Sequence, residues 1–434
     1  MVGIYKTIDM TNLNHEYSEY ISRHMEEMVR LSAKLHPVVL VQGARQVGKS
    51  TMVKGLDFLG GYKFYDLDNF EHLRLAQKNP TQMWAGVTRV VIEEVQRSPA
   101  LLEAIHTDGI GLKKKTRFVL TASYSTPELV QFVEEVASRG TQVQLLPCSP
   151  SEAERWAPCA LLRELLDGES ITRKYSTPPA SLNKHVGHFP EVVGQKDEGA
   201  LTQWYESYLG DFLERDLRAL SGVSSLVEFR RLMASLSTSC GDVTNQTAMA
   251  RQLSISQPSV YRHLAVLEAS LLLYRLNAFD RPCSKRSSKR SSKGSSKRIV
   301  KTPKHFFVEP GLFAHLWRVA DNESLGASSF EYRYMQCQTL LSLRAAAELM
   351  VPRGDISFWR TSTAKDVDFV LSHKSKLLAF QVDPGDGSRE NLLEHLELFM
   401  SEYKETVAGI VVHNRLEVEE LAPGVIGIPM WLLA

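Results

Sequence analysis

Over the first third of the chain, short apolar runs alternate with stretches of helical spacing. Val38-Val39-Leu40-Val41, Tyr62–Leu67, Arg89–Glu94 and Arg117–Ser123 are the apolar runs, and Gln142–Leu146 is a shorter one. Each is of strand length and closes on polar or acidic residues. Between them, Tyr20, Ile21, Met25, Met28 and Leu31 recur at roughly helical spacing across residues 17–36, and a second helical stretch runs to Leu75. The alternation predicts an α/β unit. Helical patterns follow at 151–182, Trp204–Leu220 and Val227–Leu236, with Trp204, Tyr208, Phe212 and Leu217 as anchors of the second. The last third reads as a long helix at Leu325–Leu349, then strands at Ser357–Trp359, Val367–Leu371 and Leu377–Asp383. A helix at Leu392–Tyr403, a strand at Gly409–His413 and an apolar run at Val425–Leu432 complete it.

The first apolar run leads into Gly43-Ala44-Arg45-Gln46-Val47-Gly48-Lys49-Ser50-Thr51 and then a helical pattern. This is G-x-x-x-x-G-K-[ST] in its strand–loop–helix setting. The glycines let backbone N–H groups turn around phosphate oxygens, and the helix start adds unpaired N–H groups and a positive dipole end. Residues 43–51 are therefore the expected ATP cradle, with Lys49 on the β- and γ-phosphates and Ser50 on Mg²⁺. The run at Arg89 ends in Glu93 and Glu94. An acid at such a strand end holds the metal, and the next orients the attacking water, so Glu93 suits the first role and Glu94 the second. Thr121 or Ser123 either senses the γ-phosphate or closes its strand. Arg139 is a candidate charge-stabilising arginine, in cis or across an interface. Asp66 and Asp68 either cap the next helix or face the site, and Arg23 is either a solvated surface residue or a nucleotide contact.

Composition adds bounds. With 43% apolar and 23% charged residues and a net charge of +1, the 434-residue chain has an ordinary balance and no global field for nucleic acid. Its five cysteines are scattered, without a CxxC pair, which fits a reduced compartment. Lys6, Asp9, His15 and Glu16 stand where a signal peptide would be apolar, and no apolar run is long enough to span a membrane. The cytoplasm and no membrane are the expectations.

Asn245–Leu273 reads helix, tight turn, helix, with Ala248, Leu253 and Ile255 inward and Gln257, Ser259, Tyr261 and Arg262 outward. This is helix-turn-helix spacing, used for DNA or for protein docking. Residues 281–304 then hold SSKR, SSKG and SSKR tetrads at 287–298, ten Lys or Arg and no acid. The stretch is either a tolerated surface insertion or a phosphate-backbone contact.

GARQVGKST, LDN at 67–69, IEEVQRSP at 92–99, LTAS at 120–123 and LLPCSPSE at 145–152 together resemble prokaryotic P-loop ATPases of the AAA-like group that carry a C-terminal domain of unknown function. The resemblance covers nearly the whole chain. It departs at Glu93, where the family usually has Asp, and at Ala122 and Ser138, where it usually has glycine. Arg139 matches the family's arginine ahead of its LxPxS segment, Arg215-Asp216 sits in its RD position, either as a structural salt bridge or in a role near the nucleotide, and His188–Val193 resembles its GxxPEVV link. Glu309-Pro310-Gly311-Leu312 takes the place of its Asp-x-Gly-Leu. The C-terminal order of elements resembles a restriction-nuclease-like core whose metal positions fall on Asp368, Gln381 and Asp383, with Glu331 near. Gln381 removes a carboxylate and Asp383 replaces a lysine, which points to a structural or docking remnant.

The expected fold class is α/β: a P-loop NTPase domain (1–155), a helical region (156–235), a winged-helix-like domain with the basic insert (236–308) and a small restriction-nuclease-like domain (309–434). The expected activity is ATP binding with slow Mg²⁺-dependent hydrolysis in a nucleotide-controlled switch, or DNA binding in which ATP sets conformation. A serine- and charge-rich stretch buries little apolar area. Deleting residues 284–298 should therefore leave the thermal midpoint nearly unchanged in a melting experiment, and a large drop would show that the stretch is packed on the core.

Overall fold

The computed structural model describes residues 20–109, 116–158, 160–168, 187–220, 225–280, 300–320, 326–385 and 389–433. Strands β1 (Val38–Gln42), β2 (Lys63–Asp66), β3 (Arg89–Glu93), β4 (Arg117–Ala122) and β5 (Gly140–Gln144) form one parallel sheet in the order β2-β3-β4-β1-β5. The central strands are apolar at successive positions because both faces are covered. Val38 and Leu40 pack to one side with Val90, Ile92, Phe118 and Leu120, and Val39 and Val41 to the other with Val91 and Val119. Helices α1 (Glu26–Leu35) and α2 (Lys49–Gly55) supply Val29, Met52 and Val53 to the second face. Helices α3 (Phe70–Lys78), α4 (Pro99–Ala104) and α5 (Pro127–Val136) supply Ala76, Leu101, Leu129 and Phe132 to the first.

The cap of α3 is Asn69, whose Oδ1 accepts from the N–H groups of Glu71 and His72. Asp66 and Asp68 do not cap. Asp66 accepts from the Asp68 N–H, and Asp68 pairs with Arg97. The fifth strand ends two residues earlier than its apolar run, because Leu145 leaves the sheet to pass over the turn at Gly43. A Cβ on Gly43 would lie 2.2 Å from the Leu145 carbonyl oxygen, so only glycine fits.

Helices α6 (Leu161–Asp167), α7 (Glu198–Asp211), α8 (Leu226–Thr238), α9 (Gln246–Leu253) and α10 (Gln257–Ala269) form the middle of the chain. The helical pattern expected at 151–182 is realised in α6, and residues 169–186 lie outside the described residues. Helix α7 starts six residues before Trp204, and its line widens into a π turn at Phe212–Asp216 before Leu217–Leu220. Ser254 at φ 57° makes the tight turn between α9 and α10, and Ser256 caps α10. The inward face of α9 is Met249, Ala250 and Leu253. Ala248 is exposed, since the helix is turned by one residue from the expected phase. Strands β6 (Leu273–Leu276) and β7 (Lys304–Phe307) then pair as an antiparallel hairpin. The insert between them falls largely outside the described residues, at 281–299.

After α11 (Pro310–Val319) and α12 (Gly326–Glu348), a six-stranded sheet follows in the order β12-β13-β11-β10-β9-β8. Strands β8 (Asp355–Arg360), β9 (Asp366–His373) and β10 (Lys376–Asp383) form an antiparallel meander. Helix α13 (Arg389–Glu402) crosses to β11 (Thr406–His413), parallel to β10. Strand β12 (Glu419–Ala422) is antiparallel to β13 (Val425–Pro429), which runs parallel to β11. One apolar cluster joins these parts, from Val29 and Val41 through Phe229, Leu264 and Phe313 to Leu340, Phe369 and Ile428.

Candidate nucleotide-binding site

The glycine-rich turn runs from the end of β1 into α2. Gly48 sits at φ 91°, the left-handed region that glycine enters without strain, and Gln46 also has a positive φ. The loop's carbonyls are claimed from several directions. Lys49 Nζ donates to the oxygens of Gly43 and Ala44 at 2.9 and 3.0 Å. Arg23 Nη1 donates to Val47 O at 2.7 Å, and its Nη2 donates to Leu146 O and Glu152 Oε2. Tyr208 Oη donates to Arg45 O at 3.4 Å. Arg23 is thus a buried brace behind the loop and neither a solvated residue nor a nucleotide contact. Burial brings Lys49 down to about 8, against the pull of the Glu94 carboxylate, while Arg45 pushes the same way as burial.

Strand β4 lies between β1 and β3, so its end faces both the loop and the acids. Ser123 Oγ donates to Glu94 Oε1 at 2.6 Å, and Gln96 Nε2 donates to Oε2 at 2.6 Å. Thr121 Oγ1 accepts from the Glu94 N–H. Glu94 adopts a left-handed backbone at φ 58°, which turns its side chain away from the strand's alternation. Its neighbour Glu93 is buried. Lys54 reaches Glu93 Oε2 at 3.3 Å, and Oε1 has no hydrogen-bond partner. Burial raises the Glu93 pKa, opposed first by Lys54, and the Ser50 hydroxyl faces the same carboxylate. A serine hydroxyl beside an unsatisfied buried carboxylate oxygen is a donor set that fits Mg²⁺ alongside phosphate oxygens.

The expected residues do not all meet here. Thr51, the third residue of α2, is exposed. Arg139 precedes β5, where Gly140 pairs with Val38 at the start of β1. It therefore lies at the far end of the strands, about 16 Å along β1 from the loop at roughly 3.3 Å per residue, and cannot reach the nucleotide of its own chain. Sequence reasoning missed Arg23 as a brace and missed the partner of Arg45. Arg45 Nε and Nη2 donate to Asp216 Oδ2 and Oδ1 at 3.0 and 3.1 Å, across 171 residues of chain.

The C-terminal acids are dispersed. Asp368 is buried and accepts from Tyr332 Oη, Gln336 Nε2 and the Val382 N–H, with Lys304 Nζ 3.9 Å away. Gln381 turns its amide to the Asp366 carbonyl, and Asp383 faces Arg389 and Arg415. Among the described residues, no three His, Cys, Asp or Glu side chains form a metal-sized group. Likewise, no described helix is long and apolar enough to cross a membrane.

Residues 35–154 match a family model described as an AAA domain. Residues 184–323 and 340–433 match two models described as domains of unknown function, DUF8612 and DUF4143. The uncharacterized proteins Mb2031c of Mycobacterium bovis and Rv2008c of Mycobacterium tuberculosis are each 25% identical over 386 residues, covering 85% of this chain and 77% of theirs. Among solved structures, the Walker-type ATPase paby2304 of Pyrococcus abyssi is similar at 12% identity and TM-score 0.42, covering 68% of this chain and 96% of that one. A signal transduction ATPase with numerous domains, PH0952 from Pyrococcus horikoshii, is similar at 12% identity and TM-score 0.24, covering 76% and 47%. The chain thus carries an AAA-type P-loop domain followed by uncharacterised regions.

The depressed Lys49 generates a pH signature. Phosphates favour the ammonium, so nucleotide binding should raise its pKa and take up protons above about pH 8. Affinity for ATP should fall as pH rises from there, and calorimetry in two buffers of different ionisation heat should register the uptake.

Proposed function

We propose that the chain binds ATP with Mg²⁺ at residues 43–51, hydrolyses it slowly and uses the nucleotide state as a switch on its helical and C-terminal regions. The observation that carries this reading is the buried Glu93 carboxylate, near the Ser50 hydroxyl and with its Oε1 unpartnered, one residue before a carboxylate held by Ser123 and Gln96. Lys49 leaves the Gly43 and Ala44 carbonyls for the β- and γ-phosphates, while Arg23 keeps the loop in shape. Ser50 and Glu93 would hold the metal, which when bound neutralises charge between the two phosphates. Glu94 orients the attacking water, and Ser123, already bonded to Glu94, senses the γ-phosphate. Both Glu94 oxygens are engaged, so one must be released before water is polarised, which favours slow turnover. Arg139 acts only across an interface, on the nucleotide of another copy. The C-terminal sheet, with its antiparallel meander, crossover helix and parallel strand, we read as a degenerate restriction-nuclease-like scaffold, and the cytoplasm as the location.

Lys49→Ala should abolish ATP binding in calorimetry. Glu94→Gln should keep ATP binding and lower turnover by roughly 10²–10⁴-fold in a phosphate-release assay. Turnover at the parent rate would reduce Glu94 to a strand-end residue.

The second reading is a DNA-binding module in which ATP sets conformation without significant turnover. It is favoured by the outward face of the helix pair, where Arg251, Gln257, Tyr261 and Arg262 are exposed, as a winged-helix-like unit would present them. His263 is buried against Phe229 and belongs to the core. Labelled duplex should then bind with a salt slope of roughly three to six between about 50 and 200 mM salt. Arg262→Ala should alter sequence preference more than that slope. No binding at the lower salt, with or without ATP, would leave docking to a protein partner as the use of this face.

A further inference from the structure

We propose that Asp216 is a positioning residue for the nucleotide: it aims the Arg45 guanidinium at the γ-phosphate, making Arg45 the charge-stabilising arginine of this chain's own site. The inference rests on the ATP reading above and adds a residue from outside the P-loop domain to its machinery.

Arg45 is the third residue of the glycine-rich turn, and both its ends are set by the same distant helix. Its carbonyl accepts from Tyr208 Oη in α7, and its side chain is held by Asp216 in the π turn that extends α7. The turn is itself anchored, with Phe212 against Phe229 and Tyr208 stacked on Trp204. Asp216 is buried, whereas Arg45 keeps about a quarter of its side chain open. Lys49 lies in the fields of Glu94, Arg45 and Asp216 together, and Arg45 in that of Glu94, so the guanidinium, the phosphate lysine and the water-orienting acid share one neighbourhood. That is where the γ-phosphate belongs. Arginine has donors on three nitrogens; Asp216 takes Nε and Nη2, and Nη1 is left for a phosphate oxygen. Other arginines near the loop are differently occupied: Arg23 on Val47 O and Arg97 on Asp68. Loss of the γ-phosphate removes one of the two anions that share Arg45, so the helical region reads the nucleotide state through this ion pair.

Charge alone makes the opposite forecast. Removing a carboxylate beside bound phosphates relieves repulsion and should tighten ATP and ADP alike. The test is calorimetry on the full chain with Mg²⁺, comparing ADP with a non-hydrolysable ATP analogue. Asp216→Asn and Arg45→Ala should each weaken the analogue about tenfold or more and leave ADP within about twofold. Asp216→Glu should recover part of the loss, and the double variant should be no weaker than Arg45→Ala alone. Equal effects on both nucleotides, tighter binding in Asp216→Asn, or additive losses in the double variant would overturn the proposal. If Asp216→Asn does not fold, Arg45→Lys carries the same comparison, since it keeps the charge and loses the fork. A parent chain that binds neither nucleotide overturns the proposed function and this inference with it.

Discussion

A phosphate-binding loop has to offer its N–H groups to the ligand, and that leaves its carbonyls needing donors behind it. The Arg23 guanidinium on the Val47 carbonyl meets this need from within the core. A buried guanidinium must in turn be neutralised, and Glu152 does so while closing a capping box with Ser149 and accepting from the His24 N–H. The loop's shape therefore depends on a chain of contacts running from before β1 to beyond β5. Lys49 supplies the other brace, its ammonium held by the Gly43 and Ala44 carbonyls.

The same loop is where the later regions converge. Pro190 lies against Gly48, where a Cβ would meet it at 3.4 Å. The segment around it is fastened by His188, whose N–H donates to Glu309 at 2.6 Å and whose ring faces the Cys148 carbonyl. Burial lowers His188 to about 4, so it stays neutral in that contact. Glu309 is buried as well and also accepts from Tyr205 Oη and the N–H groups of Gly311 and Leu312, which caps α11. One carboxylate thus ties a C-terminal helix, the α7 helix and the cover of the loop. The longer glutamate, where the resembled family usually has aspartate, reaches all of them.

What the sequence revealed was the chemistry that must be contiguous. The loop, its lysine and serine, and the paired acids occupy fixed neighbouring positions, and β1, β3 and β4 were legible because buried strands are apolar throughout. What it concealed were partnerships across distance. Arg23 meets Val47 and Glu152 across 24 and 129 residues, and no local pattern separates such an arginine from a surface one. Helix phase was also ambiguous: Ala248 and Met249 both fit an inward stripe, and packing on α10 chose the larger. Asn69 won the cap over two nearby aspartates because its extended backbone stands immediately before the first helical turn. Arg139 carried a correct strand context, but a sheet has two ends, and the register decided which one it occupied.

The apolar cluster that runs through all three matched regions has a consequence for heredity as well as for folding. Val41, Phe229 and Phe369 come from different regions, yet each loses part of its cover if another region is taken away. A gene fragment encoding one region inherits an exposed seam. Recombination that swaps a single region has to preserve that seam's shape.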